Sequence, residues 1–334
     1  MLAVVRLDFD PWVQILGASF RLETLALAGV VLLVLVLAAL SAGRARLAGG
    51  DSDAESDGRL RRDDLILIAF GAVPGAVVGG RLGYGLVHAD YYLADPLALF
   101  DPGKGGLTLT LAVLLGTLTA LAVARLLAAP IGRWLGVAAV PVLLGLGLGK
   151  LTMALGGTGQ GAYSDAFWAT SYEHTATGSG GAAIAPLPDL WGSANPDHPA
   201  LPSQLVEGGL VLLAVALLLI APTLLRVRIR RSGGLPRLSL APRQEWAFQI
   251  GGRRFLTALG LWALIRLFAA STWRDARVLG PFVAEQYVLL AVIAVLAALA
   301  LGAPATAGPF HRLRAAWAAR PAALRAGRAA RREG

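Results

Sequence analysis

Residues 22–42 read LETLALAGVVLLVLVLAALSA. After Glu23 the run carries no charge, and leucine, valine and alanine dominate it. At about 1.5 Å of rise per residue, a helix of this length crosses the roughly 30 Å hydrocarbon core of a bilayer. The stretch therefore reads as a transmembrane helix. Its N-terminal flank is acidic (Asp8, Asp10) and its positive charges follow it. That is the pattern of a retained anchor rather than a cleaved signal peptide.

The same kind of run recurs along the chain. Spans are expected near 22–42, 64–88, 106–129, 134–156, 203–224, 253–271 and 284–302. Longer polar segments separate some of them, at 43–63, 157–202 and 225–252. Charged residues are 15% and hydrophobic residues 56% of the 334, and the mean hydropathy is +0.64. Soluble domains average about 25% charged. The expected fold class is an all-α integral membrane protein of about seven transmembrane helices. Residues 1–302 read as a single transmembrane domain, and 303–334 as a basic cytoplasmic tail. Segment 47–58 and the Arg/Ala-rich tail are low in complexity.

Arginine and lysine are distributed unevenly. In a seven-span arrangement one face collects 22 of them, in 43–63, 125–133, 225–254 and 303–334. The opposite face has five: Arg6, Arg21, Lys104, Arg274 and Arg277. The long loop 157–202 on that face has none. The positive-inside rule then places the N-terminus outside and the C-terminus inside. This accounts for the net charge of +9 without a nucleic-acid partner, and the tail lacks a recognition motif. Attraction of the tail to lipid headgroups is compatible with the same charge.

Several chemistries are excluded. The chain has no cysteine, so it has no disulfide, thiolate metal site or cysteine nucleophile. His88, His174, His198 and His311 lack metal-ligand spacing. No metal or other cofactor is expected. GGTGQG (156–161) lacks the lysine and the serine or threonine of a phosphate-binding loop.

Three basic residues are left within spans: Arg81, Lys150 and Arg266. A charge in hydrocarbon costs at least about 2.5–3.5 kcal/mol, so it faces the bundle interior or a wet cavity, or snorkels to a headgroup. Glu207 and Glu285 read as too few and too peripheral to pair with all three. A phosphate-bearing lipid headgroup is the natural partner, since arginine binds phosphate bidentately. Glycine runs GGRLGY (79–84), GLGLGK (145–150) and GGTGQG mark the same regions and allow close helix approach. The aromatic residues of loop 157–202 (Tyr163, Trp168, Tyr172, Trp191) suggest that parts of it lie at the membrane surface.

These features in this order resemble the prolipoprotein diacylglyceryl transferase family. FDP (9–11) looks like the family's N-terminal lead-in. GGRLGY (79–84), ADPLALF (94–100) and the glycine pair at 105–106 follow its second span and exit. PSQLVE (202–207) is similar to its PSQLYE, and Arg266 in LWALIRLF resembles its tyrosine-to-arginine helix. EQY (285–287) stands where the family starts its last span. The resemblance implies seven transmembrane helices with an outward-facing head, in the bacterial plasma (inner) membrane. It implies transfer of a diacylglyceryl group from phosphatidylglycerol to the lipobox cysteine of preprolipoproteins. The partners would be that phospholipid and the preprolipoprotein signal peptides. The nucleophile would then be the substrate's thiol. Arg266 matches the family's essential arginine. Arg81, Gln204 and Glu207 match polar positions, Gly80 and Tyr84 belong to GGRLGY, and Gly161 closes the signature. On this reading Arg81, Lys150 and Arg266 would hold the lipid phosphate, and Arg266 with Glu207 would be the catalytic candidates.

The chain also departs from the family's pattern. Thr110 stands in place of a histidine, Thr24 and Trp262 in place of tyrosines. The signature stretch reads GKLTMALGGTGQG (149–161). There Lys150 replaces an arginine, Met153 and Gly156 replace asparagines, and Thr158 replaces a glutamate. Methionine does not donate or accept as asparagine does. No base for the thiol is evident in the sequence beyond Glu207. Three functions are open at this level: an active diacylglyceryl transferase, a non-catalytic relative that binds phospholipid or a membrane partner, and another lipid-linked transferase or transporter on the same scaffold.

Overall fold

The computed structural model describes residues 5–7, 12–47, 62–101, 106–172, 198–231, 243–275 and 277–302. The FDP segment, Lys104, His174, Trp191 and the basic tail lie outside the described residues. The chain forms two compact units, Met1–Ile293 and Ala294–Gly334. The site described below belongs to the first.

Eight α-helices are described: α1 (Leu22–Leu47), α2 (Arg62–Val87), α3 (Ala89–Ala94), α4 (Leu109–Leu126), α5 (Ile131–Met153), α6 (Ser203–Arg231), α7 (Arg243–Ala270) and α8 (Ala284–Gly302). Each of the seven expected spans falls on one of the long helices. Among the described residues, five segments are long and apolar enough to cross a membrane: Leu22–Gly43, Asp63–Val87, Leu109–Leu126, Ile131–Gly156 and Ser203–Ile220. The chain is a multi-pass membrane protein. The expected sixth and seventh spans are helical but fall short of that measure. α7 carries Arg253, Arg254 and Arg266. The apolar run of α8, Ala284–Leu299, covers only about 24 Å at the helical rise.

Glycine governs how the helices meet. Gly71, Gly75, Gly79 and Gly83 form a four-residue repeat along α2. They face Val123, Thr119 and Leu111 of α4 and Thr108 just before it in turn, so the two helices run antiparallel. A Cβ on any of the four would collide with its α4 partner. In lipid no hydrophobic force drives helix association, so such close van der Waals contact supplies it instead. α5 is packed similarly. Its Gly147 lies against Val211 of α6, Gly208 of α6 lies against Leu151, and Gly145 and Gly149 face Val34 and Leu27 of α1.

Short strands decorate one end of the bundle. They are β1 (Val5–Leu7), β2 (Trp12–Ile15), β3 (Ala18–Arg21), β4 (Thr170–Tyr172), β5 (Arg277–Leu279) and β6 (Phe282–Val283). β1 pairs in parallel with β4, while β2–β3 and β5–β6 are antiparallel hairpins. The described ends of loop 157–202 are zipped together. Gly161 donates to the Leu201 carbonyl at 2.7 Å, Leu201 returns a bond to Ala162 at 3.0 Å, and Thr170 and Ala200 exchange bonds. Tyr172, expected at a membrane surface, is instead buried. At this end α1, α4, α6 and α8 begin, and α2, α5 and α7 finish.

Candidate active site

Arg266 lies one turn before the end of α7 and is 3% exposed. An arginine buried this deeply needs partners, because desolvation costs several kcal/mol per ion. It has three. Nη1 donates to Glu207 Oε1 of α6 at 2.8 Å. Nη2 and Nε donate to Glu285 Oε1 of α8 at 2.6 and 2.9 Å. Nε also reaches Thr110 Oγ1 of α4 at 3.0 Å, and Thr110 in turn donates to Glu285 Oε1. Glu207 turns its second oxygen to Lys150 Nζ of α5, at 3.2 Å. Two cations and two carboxylates thus form one buried quartet drawn from four helices, with Thr110 bridging from a fifth. The Trp273 ring covers it, 4.7 Å from the Arg266 guanidinium and 5.8 Å from Lys150 Nζ. Both distances suit cation–π attraction.

The expectation that Glu207 and Glu285 lie too far to the periphery is corrected by this geometry. Both sit in the first or second turn of their helices, but α7 and α5 end at the same level. Glu207 is fully buried and Glu285 is 6% exposed. The quartet leaves capacity for a ligand. A guanidinium has five N–H donors and an ammonium three, and N–H groups on Arg266 and Lys150 are still without partners among the described residues.

Arg81 does not join these carboxylates. It donates to the carbonyls of Gly106 at 3.2 Å, Ala98 at 3.5 Å and Asp101. Its neighbour Gly80 takes the Thr108 N–H at 3.0 Å, which ties the end of α2 to the start of α4. Arg81 therefore pins the segment between α3 and α4 onto the end of α2.

The remaining expected residues take varied places. Gln204 is fully buried, one turn before Glu207. Its Nε2 donates to the Tyr172 hydroxyl at 3.3 Å, while its Oε1 has no hydrogen-bond partner among the described residues. Burial pushes the Tyr172 phenol above its ordinary range, and the Gln204 bond partly offsets this. Gly161 packs against Ser203 and the Thr272 carbonyl, where a Cβ has no room. Its carbonyl accepts Arg274 Nε at 2.6 Å. Trp262 is buried one turn before Arg266, 6.0 Å from its guanidinium. Met153 accepts the Thr158 N–H on its carbonyl at 3.0 Å. Thr158 Oγ1 donates to Glu23 Oε1 at 2.9 Å, and Gly156 lies against Glu23 and Arg21. A threonine stands at 158, yet a carboxylate still arrives there, from α1. Thr24 is exposed on α1.

Sequence reasoning missed Trp273, the reach of Glu23, and His88. Tyr84 is buried with Tyr92 and stacks on His88, with ring centroids 4.1 Å apart and planes at 21°. Asp275 lies in the turn after α7. Partial removal from water, and next the Glu285 charge, hold its carboxyl above the ordinary range.

The family model described as prolipoprotein diacylglyceryl transferase matches residues 24–303. Among curated relatives, the chain is 34% identical over 143 residues to the phosphatidylglycerol–prolipoprotein diacylglyceryl transferase of Xanthomonas campestris pv. campestris strain B100, covering 39% of this chain and 41% of that protein. It is 36% identical over 112 residues to the enzyme of the same name from Geobacter sulfurreducens, covering 33% and 42%. For the one from Xanthomonas oryzae pv. oryzae strain PXO99A it is 34% identical over 153 residues, covering 44% and 48%. The chain spans under half the length of these relatives.

Proposed function

The chain belongs to the prolipoprotein diacylglyceryl transferase family, and on that premise we propose that it transfers diacylglyceryl from phosphatidylglycerol to the lipobox cysteine of preprolipoproteins. The observation that carries this reading is the buried quartet of Arg266, Lys150, Glu207 and Glu285. In the proposed reaction the thiol sulfur bonds to the glycerol carbon that bears the phosphate. The carbon–oxygen bond to that phosphate breaks, and the electron pair stays on the departing glycerol phosphate. The thiol proton must be taken up. Charge grows on the leaving phosphate, so cations already fixed in place stabilise the transition state.

Arg266 and Lys150 would supply that charge from the N–H groups that Glu207 and Glu285 leave open. Glu207 accepts from Arg266 on Oε1 and faces Lys150 Nζ with Oε2 at 3.2 Å, so its part in this proposal is to aim the two cations. Arg81 would assist at the rim. The site would open on the outer face of the bacterial inner membrane, with N-terminus out, C-terminus in and seven helices spanning. The positive-inside bias supports that orientation.

A second reading, a lipid-binding relative without chemistry, is favoured by one observation. The quartet is formally neutral, so it can serve as a self-contained helix clamp. Complementation separates the two. The chain is expressed in a bacterium depleted of its own diacylglyceryl transferase, and lipidation of a reporter lipoprotein is followed by gel shift. Rescue that Arg266→Ala abolishes supports transfer. No rescue by an inserted, folded chain, with purified lipid and peptide also unreacted, supports the second reading.

A further inference from the structure

Thiol transfer requires a proton acceptor, and the two quartet carboxylates are not equivalent. Glu207 accepts from Arg266 on Oε1, and its Oε2 is buried, facing Lys150 Nζ at 3.2 Å. Glu285 gathers its bonds on one oxygen. Its Oε1 accepts from Arg266 Nη2 at 2.6 Å, from Arg266 Nε at 2.9 Å and from the Thr110 hydroxyl. Its Oε2 takes no hydrogen bond among the described residues, although the side chain is only 7% exposed. An ionised carboxylate only accepts, and each of its oxygens has room for two donors. Leaving one oxygen of a buried carboxylate without a donor is costly unless a ligand supplies one.

The start of α8 holds that oxygen in place. Gln286 takes the Val283 N–H on Oε1 at 3.0 Å and donates from Nε2 to the Leu267 carbonyl at 3.2 Å. Leu267 directly follows Arg266 in α7. The first turn of α8 is thus tied to the residue beside the arginine, while the Glu285 side chain is tied to the arginine itself. The group that meets Oε2 must be a donor, and it must sit next to the cation that receives the leaving phosphate. A thiol about to attack the glycerol carbon meets both conditions.

We propose that Glu285 Oε2 accepts the proton of the substrate thiol. The inference rests on the transfer reading. The S–H proton passes to Oε2, and the sulfur pair forms the carbon–sulfur bond. The carbon–oxygen bond to phosphate breaks, and its electron pair stays on the phosphate. At rest the quartet is formally neutral, two cations against two carboxylates. Proton uptake by Glu285 leaves it with a net positive charge as the phosphate gains a negative one, so the base strengthens the site that stabilises the leaving group. The released glycerol phosphate then takes the proton from Glu285 and restores the neutral quartet.

The test uses the full chain in phosphatidylglycerol vesicles with two lipobox peptides. One carries cysteine, the other selenocysteine, whose selenol is already ionised at neutral pH. General-base catalysis is worth about 10²–10⁴-fold. Glu285→Gln keeps an amide oxygen for Arg266 and Thr110 but has no base. A loss shared by both peptides measures disturbance of the quartet, and the extra loss with cysteine measures the base. That extra loss should reach the general-base range. Glu285→Asp keeps the buried charge but draws the free oxygen back by one methylene, so it serves where Glu285→Gln does not fold. It too should lose more with cysteine than with selenocysteine. Equal losses with both peptides in the folded variants, or native rates with cysteine in Glu285→Gln, overturn the role of Glu285 while leaving transfer intact. If the native chain converts neither peptide, the transfer reading fails and this inference falls with it.

Discussion

Glu207 holds two cations at once, one on each oxygen. Removing one member of a buried ion pair costs about 3–5 kcal/mol, because the other charge is left uncompensated. Glu207→Gln should therefore lower the thermal unfolding midpoint in detergent by an amount matching that cost. Adding Lys150→Met to Glu207→Gln should cost less than the two changes summed, by about 0.5–3 kcal/mol of coupling. Additive effects would mean that Lys150 and Glu207 do not share a bond. At this scale the sequence was half legible. Arg266 and Lys150 stood out because charge in an apolar run demands a reason, and Glu207 through its PSQLVE motif. Glu285 was set aside as peripheral and Thr110 noted only as a departure from the family's pattern, because their pairing depends on how five helices are rotated about their axes, and no spacing in the chain encodes that.

The α2–α4 pair is where sequence and packing agree most directly. The glycines at 79 and 83 were visible as a run, while 71 and 75 extend the same face by two turns. Gly79→Leu should force the helices apart, costing about 1–3 kcal/mol as overpacked contacts do. Gly29→Ala and Gly209→Ala meet no atom within 4 Å and should stay within about 0.5 kcal/mol of the native chain. Thermal unfolding in one detergent compares all three. Indistinguishable midpoints would show that the close approach contributes nothing. Loop 157–202 was less legible. Its length suggested a surface segment, but bridges among Tyr163, Thr170 and Ala200 tie its described ends into small pairings. Those pairings join residues 30 or more apart, below the reach of local pattern.

For the molecule as a whole, hydropathy placed every long helix, while α7 and α8 show where it weakens. The orientation drawn from charge bias is open to direct test, since the chain has no cysteine of its own. Single cysteines at Leu279 and Leu126, both exposed, lie at opposite ends of the bundle. A membrane-impermeant maleimide applied to intact cells stripped of their outer membrane should label Leu279→Cys and spare Leu126→Cys until the inner membrane is opened. The reverse pattern would put the quartet on the cytoplasmic side, away from exported preprolipoproteins.

The central claim is that Arg266 and its partners serve headgroup displacement by a thiol. The most direct measurement is release of labelled glycerol phosphate from phosphatidylglycerol vesicles that contain the purified chain, with and without a lipobox peptide. The account predicts release that requires the peptide's cysteine, matches the mass gained by the peptide, and disappears in Arg266→Ala. Release without peptide, or none with a folded chain and intact peptide, would contradict it.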